Sequence, residues 1–161
     1  MWITKKGKAA LAERIVKMEG ELREKLFELG EQAKRDPDLP ENPIWKQLQI
    51  EVSVNLPKKI GEAKKILLES MIIEDFLNIF PGRNEKVNLG ARVIVKYEDG
   101  TIKTFVMVGP YDTEIVINGL SYLSPLGKSI MRAEVGEEKV FFAPNGEKRI
   151  TIISFSNDGL V

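Results

Sequence analysis

The 161-residue sequence predicts an α+β protein, in which an N-terminal antiparallel α-helical hairpin of the coiled-coil type precedes a small antiparallel β-sheet domain with one short helix. Two long stretches of the N-terminal half repeat apolar residues at helical spacing, and the proline-rich residues 36–43 separate them. Farther along, short β-rich runs alternate with turns that contain glycine or proline. We therefore expect a hairpin domain at residues 1–77, a linker at 78–88 and a second domain at 89–161.

An apolar seam predicts the first helix, residues 5–36. Its members recur at spacings of three and four residues, which places them on one face of a helix. They are Leu11, Ile15, Met18, Leu22, Leu26, Leu29 and Ala33. A helix of this length spans roughly 45 Å and needs a partner for its apolar face. Pro37 disfavours helical geometry at Asp36, so the helix should end there.

Asn42 and Pro43 predict the start of a return helix, residues 43–76. Asparagine is a favoured N-cap, and proline fits the first helical position because its missing N–H would be unpaired there anyway. About six residues connect the two helices, a length that makes them antiparallel neighbours. The side chains that can face the seam are Trp45, Leu48, Val52, Ala63, Leu67 and Ile73.

The middle of the return helix is irregular in sequence. Pro57 cannot donate a backbone hydrogen bond and Gly61 follows one turn later, so we expect a kink or bulge. Apolar residues also alternate over residues 50–56, which would fit a strand. Both flanks are helical and an isolated strand would have no partner, so the helix is the preferred interpretation.

The second domain is predicted to contain five short strands and one helix. The strands are Ala91–Tyr97, Thr101–Val108, Glu114–Ile117, Lys139–Ala143 and Arg149–Phe155. Asp99-Gly100 and residues 144–147 predict the turns of two hairpins. Ser124 and Pro125 predict the N-cap and first residue of the helix, which should end near Arg132.

The composition restricts the chemistry that the chain can perform. It contains no histidine and no cysteine, so Ser-His and Cys-His nucleophile pairs are excluded. A metal site would need oxygen ligands, which favours Mg²⁺ or Mn²⁺ over Zn²⁺. No apolar run is long enough to span a bilayer and no signal-peptide pattern is present, so we expect a cytoplasmic protein with no membrane partner.

The charge pattern points to a protein partner. Lys plus Arg and Asp plus Glu each number 24, which argues against stand-alone binding of nucleic acid, since phosphate neutralisation drives such binding. The segment between the helices, residues 37–43, carries only acidic charges, Asp38 and Glu41. We therefore expect a monomer that presents an acidic probe to another protein.

Several short motifs of this sequence resemble one known family. Ile3-Thr4-Lys5-Lys6-Gly7 and Leu11 resemble an opening Leu-Thr-x-x-Gly-x-x-x-Leu, and the segment from Asp38 to Asn42 resembles Gly-Asp-Leu-x-Glu-Asn. Later motifs in the same order are Leu89–Val93, Val108-Gly109, Ser124–Gly127 and Val135-Gly136. On these residues the chain resembles the bacterial GreA/GreB transcript-cleavage factors along nearly its whole length.

The resemblance implies a fold and a function. In that family the hairpin enters the secondary channel of RNA polymerase, and a C-terminal domain with an FKBP-like fold, without isomerase function, holds the rim of the channel. By this resemblance, Asp38 and Glu41 are the candidate catalytic and metal-binding residues, which would help to hold a second Mg²⁺ in the polymerase active site. The polymerase would then hydrolyse backtracked RNA near its 3′ end. The chain would be no enzyme itself and would bind no cofactor alone.

Three further residues are candidate partner contacts. Trp45 stands where the family has an aromatic ring, and it could staple the hairpin or touch the polymerase or nucleic acid. Ser124 and Pro125 could form only a helix cap, or could also contact the polymerase. Ile44 stands where the family has a further carboxylate. The alternative function is a Gre-like regulator or inhibitor that plugs the channel without stimulating cleavage.

Overall fold

The chain divides into two compact units. A computed structural model describes residues 1–35, 42–75, 85–157 and 160. One unit combines Met1–Lys8 with Ser70–Val161, and the other is Ala9–Glu69. The prediction assigned residues 1–77 to the hairpin domain. Residues 1–8 and those after Glu69 belong instead to the unit that contains the sheets.

The first long helix, α1, spans Lys5–Arg35 and agrees with the prediction as far as the described residues reach. The apolar seam is buried at Leu11 and Ile15 and becomes more exposed along the helix, so that Leu26 is 48% exposed. In the described part of the chain, neither this helix nor any other is long and apolar enough to cross a membrane.

The return stretch is helical, and the alternative strand over residues 50–56 is wrong. It consists of α2 at Pro43–Ile50, a π-helical segment at Glu51–Asn55, and α3 at Leu56–Glu69. The side chains that this stretch buries are Val52, Leu56, Ile60 and Ala63, which recur at helical spacing. α2 buries none of its residues, which matches the exposure of the seam toward the end of α1.

The predicted bulge is confirmed as the π-helical segment that ends at Asn55, two residues before Pro57. The proline has no N–H with which to bond the carbonyl of Ser53, and its ring would press on that carbonyl in a regular helix. The wider turn instead lets the Leu56 N–H bond the Glu51 carbonyl, five residues earlier. Asn55 Nδ2 also donates to Glu51 Oε2 at 2.8 Å, which helps to hold the turn.

The return helix was predicted to run without a break to residue 76, but α3 ends at Glu69 and residues 73–75 are helical again. Strand β2, Met71–Ile72, follows α3 and pairs in parallel with β1, Trp2–Ile3. Ile73 is fully buried in the unit that contains the sheet, so its predicted place in the hairpin seam is wrong. The apolar periodicity runs through this boundary, and a two-residue strand is too short to show a period of its own.

The main sheet has five strands in the order β5-β4-β3-β7-β6. The strands are β3 at Arg92–Tyr97, β4 at Ile102–Val108, β5 at Gly119–Ser121, β6 at Glu138–Ala143 and β7 at Gly146–Ser156. Both predicted hairpins, β3–β4 and β6–β7, are confirmed. Gly100 and Gly146 have φ angles of 82° and 113° in the two turns, where a residue with a β-carbon would be strained.

The sheet is mixed, because β5 pairs in parallel with β4. The predicted strand at Glu114–Ile117 is wrong: these residues lie in a series of turns, and the strand begins at Gly119. The Val116 N–H bonds the Asp112 carbonyl at 2.8 Å, which is a local turn contact and not a strand ladder. Ile117 is 86% exposed, so its apolar character does not reflect burial.

The core of this unit lies on one face of the sheet. The buried residues are Val87, Ala91, Val93, Val95, Met107, Ile130, Ala133, Phe141, Ile150 and Ile152. Val87 was predicted to lie in the linker, but it is fully buried and donates its N–H to the Ala133 carbonyl at 2.9 Å. Helix α4, Pro125–Ile130, supplies the buried Ile130 and ends two residues before the predicted Arg132.

Candidate functional site

The acidic connector of the hairpin follows α1 in the sequence and precedes α2. The described part of α1 reaches Arg35, and Lys34 in its last turn pairs with Glu31 at 2.9 Å. On the other side, Asn42 Oδ1 accepts the N–H of Ile44 at 2.9 Å and caps α2. Basic residues are favourable in the last turn of a helix because they interact with its negative end. Asn42 is favourable at a helix N-terminus because its side chain accepts an N–H that would otherwise be unpaired.

Ionic contacts show that the two arms of the hairpin run antiparallel. Glu19 Oε1 of α1 pairs with Lys64 Nζ of α3 at 2.6 Å. The pKa of Glu21 is lowered, first by its hydrogen bond with Lys25 and also by Lys59 of the return arm. As the residue number rises along α1 from Glu19 to Glu21, the number of the nearby cation on the return arm falls from Lys64 to Lys59, which indicates antiparallel arms.

Asp38 and Glu41, the predicted metal ligands, lie outside the described residues. In residues 1–35, 42–75 and 85–157, no group of three or more carboxylates could hold a metal ion. What the structure provides for this site is therefore its two supports, α1 and the capped start of α2.

Trp45 and Ile44 lie in the first turn of α2, next to the connector. Ile44 is 76% exposed, whereas Trp45 is half-buried. The indole Nε1 of Trp45 is shielded from solvent and has no acceptor among the described residues.

Ser124 is the N-cap of α4, which confirms the capping interpretation of this residue. Its Oγ accepts the N–H of Gly127 at 3.0 Å and donates to the Ser121 carbonyl at 2.7 Å. Gly127 is needed here because a β-carbon would lie 2.0 Å from that same carbonyl. The Ser124–Gly127 motif is thus explained by local structure, and Pro125 and the neighbouring Leu123 are exposed.

Trp45 and Ser124–Pro125 belong to different compact units. Each is described by its own surroundings, and a contact role for Trp45, Ser124 and Pro125 stays a prediction.

The sequence interpretation missed Asp112, which is a fully buried carboxylate. Its oxygens accept the N–H of Thr4 at 3.2 and 3.1 Å, the Thr4 hydroxyl at 2.6 Å, and the N–H of Gly109 at 3.2 Å. Burial raises the pKa of the Asp112 carboxyl, while these hydrogen bonds act in the opposite direction and the charge of Glu74 adds to the increase. The cluster fixes the first turn of α1 to the sheet unit.

Two glycines make this cluster possible. A β-carbon at Gly7 would stand 1.8 Å from Asp112 Oδ1, and one at Gly109 would stand 2.1 Å from the Trp2 carbonyl oxygen. Gly7 also donates its N–H to the Thr4 hydroxyl at 2.9 Å, the N-cap contact of α1. The Thr4-x-x-Gly7 and Val108-Gly109 motifs were visible in the sequence, but nothing in their spacing linked them to Asp112.

A second carboxylate completes the capping of α1. Both oxygens of Glu74 accept the N–H of Lys5, at 3.0 and 3.1 Å, and Lys5 Nζ pairs with Asp75 at 3.2 Å. The first turn of α1 contains no acidic residue of its own. The negative charge that favours a helix N-terminus is therefore supplied by Glu74 and Asp112 from distant parts of the chain.

Comparison with known proteins places these motifs in a family. Residues 82–157 match the family model described as transcription elongation factor, GreA/GreB, C-term. The chain is 30% identical over 152 residues to the transcription elongation factor GreA of Neorickettsia sennetsu, covering 94% of this chain and 92% of that protein. It is 28% identical over 162 residues to GreA of Syntrophobacter fumaroxidans, with 96% and 97% covered.

Among solved structures, the GreA factor homolog 1 protein of Thermus thermophilus matches over 97% of this chain and 98% of that chain. The identity is 19% and the TM-score is 0.42. The sequence match to the Neorickettsia protein extends over both the helical hairpin and the sheet unit, since 94% of this chain is aligned. The chain therefore belongs to the GreA/GreB family of transcription elongation factors.

Proposed function

We propose that this elongation factor binds bacterial RNA polymerase, inserts its helical hairpin into the secondary channel and stimulates the polymerase's own cleavage of backtracked RNA. In this proposal the polymerase performs the hydrolysis and the factor donates two carboxylates, Asp38 and Glu41. The nascent RNA 3′ end would meet the factor only inside the polymerase.

One observation carries the proposal: two antiparallel helices are joined by a segment whose sequence is acidic. α1 has 31 residues, which corresponds to roughly 45 Å of helix. The Glu19–Lys64 ion pair joins the two arms, and the Asn42 cap defines where the return arm begins. A helix pair of this kind can carry a short acidic segment into a narrow opening with little loss of conformational entropy.

The donor set at the connector fits a hard divalent cation. Carboxylate oxygens are the ligands that Mg²⁺ prefers, and two of them fill only part of its octahedral shell. Asp38 and Glu41 would hold Mg²⁺ together with ligands of the polymerase. The cation would supply neutralisation of charge at the scissile phosphate. The contribution of this chain is to position the two carboxylates.

The alternative is a factor that occupies the channel without stimulating cleavage. The observation in its favour is Ile44, which is 76% exposed in the first turn of α2. An exposed aliphatic side chain next to the connector supplies no ligand and adds apolar surface. A hairpin that fills the channel needs shape and contact area, and Ile44 would contribute to both.

Contacts with the polymerase are also proposed for Trp45 at the start of α2 and for the loop around Ser124 and Pro125. The half-buried ring of Trp45 lies beside the exposed Ile44. In the sheet unit, the exposed Pro125 and Leu123 flank a serine whose hydroxyl is already used in the cap. A partner would therefore contact the apolar flanks of this loop more readily than the serine hydroxyl.

A cleavage assay tests the proposal. The protein is added to a stalled, backtracked elongation complex with labelled RNA and Mg²⁺, and the release of short 3′ fragments is measured over time. We expect release that depends on both the polymerase and the protein. Binding to the polymerase with no acceleration of release would favour the channel-plugging alternative, and absence of binding would reject both.

A further inference from the structure

A pocket of about 440 Å³ lies in the unit that contains the sheet. Its polar side is formed by Thr4, Lys6, Glu74 and Arg92, and its apolar side by Val106, Leu160 and residues 115–117. The volume is within the range of sites that bind small molecules or a few side chains of a partner. The roles given above to the buried Asp112 cluster and to the hairpin connector do not explain why the chain has this pocket.

The net charge of the described pocket lining is positive, because two cations, Lys6 and Arg92, outnumber one carboxylate, Glu74. The Thr4 hydroxyl is engaged in the Asp112 cluster, and both oxygens of Glu74 accept the N–H of Lys5. Lys6 and Arg92 form no ion pair or side-chain hydrogen bond with any residue of the described ranges. An anionic group that entered the pocket would therefore meet two cations without an ion-pair partner, and one carboxylate that is already hydrogen-bonded to the backbone.

The apolar side combines a buried floor with exposed residues. Val106 is 5% exposed, whereas Ile115 is 38% and Ile117 is 86% exposed. An isoleucine with this degree of exposure at a pocket marks a surface where a partner can remove apolar area from water. Among the described residues, the lining contains no aromatic side chain on which a nucleobase could stack. The chemistry therefore suits a carboxylate next to an aliphatic side chain better than a nucleotide.

We propose that this pocket binds an acidic peptide segment of RNA polymerase. A carboxylate of that segment lies between Lys6 and Arg92, and a branched aliphatic neighbour packs on Val106 and Ile117. The choice of the polymerase as the source of the peptide rests on the proposed function, and the choice of an acidic, aliphatic segment rests on the charge and surface of the pocket.

Binding of this factor to purified polymerase tests the proposal. The pocket variants are Lys6→Gln, Arg92→Gln and Ile117→Ser, and we expect each to raise the Kd about ten-fold. The matched control is Lys96→Gln, because Lys96 lies on the same face of β3 as Arg92, is exposed, and does not line the pocket. Thermal unfolding of every variant shows that the proteins remain folded.

A peptide titration separates this proposal from the proposed function. The probe is a capped hexapeptide of alternating Glu and Leu, and its counterpart has Lys in place of Glu. In NMR spectra of the labelled protein, we expect the acidic peptide alone to shift the backbone amides of Thr4, Arg92 and Ile117.

The outcomes of the two experiments are distinct. Polymerase binding that is unchanged in all three pocket variants overturns the proposal and leaves the proposed function standing. If the wild-type protein does not bind polymerase but the acidic peptide shifts the pocket amides, the proposed function fails and the acidic-peptide site stands without its assigned source. If neither peptide shifts these amides and the variants bind like Lys96→Gln, the pocket is not a peptide site.

Discussion

The backbone of Gly7 lies directly against the carboxylate of Asp112, so that a β-carbon at Gly7 would stand 1.8 Å from Oδ1. These residues are far apart in the sequence, and Thr4 joins them by donating its hydroxyl to Asp112 and accepting the Gly7 N–H. The contact explains why the opening motif requires a glycine in the first turn of a helix, where glycine is otherwise unfavourable.

Replacing Gly7 by alanine should destabilise the protein, whereas replacing Gly20 should stabilise it. Both lie in α1, but a β-carbon at Gly20 would have no atom within 4 Å. We expect Gly7→Ala to lower the free energy of unfolding by about 1–3 kcal/mol, because the Asp112 cluster must shift. Gly20→Ala should raise it by about 0.5–1 kcal/mol, the helix-propensity difference. Urea unfolding measures both, and equal effects of the same sign would contradict the prediction.

The pH dependence of stability should distinguish Asp112 from Asp99. Burial raises the pKa of Asp112, so its stabilising contribution is present below the unfolded-state pKa and is lost as the pH rises through the folded-state pKa. The backbone hydrogen bond from Thr101 lowers the pKa of Asp99, so its contribution is present above the unfolded-state pKa and is lost as the pH falls through the folded-state pKa.

The measurement for this prediction is the free energy of unfolding of wild type, Asp112→Asn and Asp99→Asn between about pH 3 and pH 7. The advantage of wild type over Asp112→Asn should grow toward acid pH. Its advantage over Asp99→Asn should shrink in the same direction. If the two differences in the free energy of unfolding change in the same direction with pH, the direction given for one of the two pKa values is wrong.

Arg132 is held in the left-handed region, with a φ of 64°, directly after the cap of α4. Glycine has no β-carbon and adopts this conformation without strain, so we expect Arg132→Gly to raise the free energy of unfolding by about 0.5–1 kcal/mol. Asn118 has a similar φ of 58°, but asparagine tolerates it, so Asn118→Gly is the control with a smaller gain. Denaturant titrations of the two variants provide the comparison.

Removing either acidic side chain of the connector should abolish stimulated cleavage. We expect Asp38→Ala and Glu41→Ala to slow release of RNA fragments by orders of magnitude, because each would remove a metal ligand. Stability should change by less than about 1 kcal/mol and polymerase affinity should hardly change. Partial rescue by Mn²⁺ would identify metal affinity as the lost property. An unchanged cleavage rate in both variants would exclude these ligands.

Ile44→Glu should increase the rate of cleavage if the wild-type factor is a weak stimulator. The side chain is 76% exposed, so the substitution should fit without repacking, and a carboxylate in the first turn of α2 also suits the helix N-terminus. The comparison is made at equal occupancy of the polymerase. The control is Ile44→Gln, because glutamine has nearly the same shape as glutamate and carries no charge. If both variants act alike, charge at this position has no role in cleavage.

Patterns that depend on neighbours in the sequence were predicted well. The seam of α1, the Asn42-Pro43 start of α2, the Ser124-Pro125 start of α4 and the turns at Gly100 and Gly146 all appear in the structure. The disturbance at Pro57 was predicted as well, because a missing N–H is a property of the residue itself. The sequence alone thus determined the α+β class, the hairpin and the family motifs.

The tertiary structure decided the contacts between distant residues. Only the folded chain brings Asp112 to Thr4 and Gly7, pairs Met71–Ile72 with Trp2–Ile3, and buries Ile73 and Val87 with the sheet unit. The tertiary structure also decided where β5 begins. The strand starts at Gly119 because the preceding residues form turns around Asp112. The physical reason is that hydrophobic period and turn chemistry are local properties of a sequence. A buried carboxylate, a two-residue strand and a pocket exist only once separate segments are close in space.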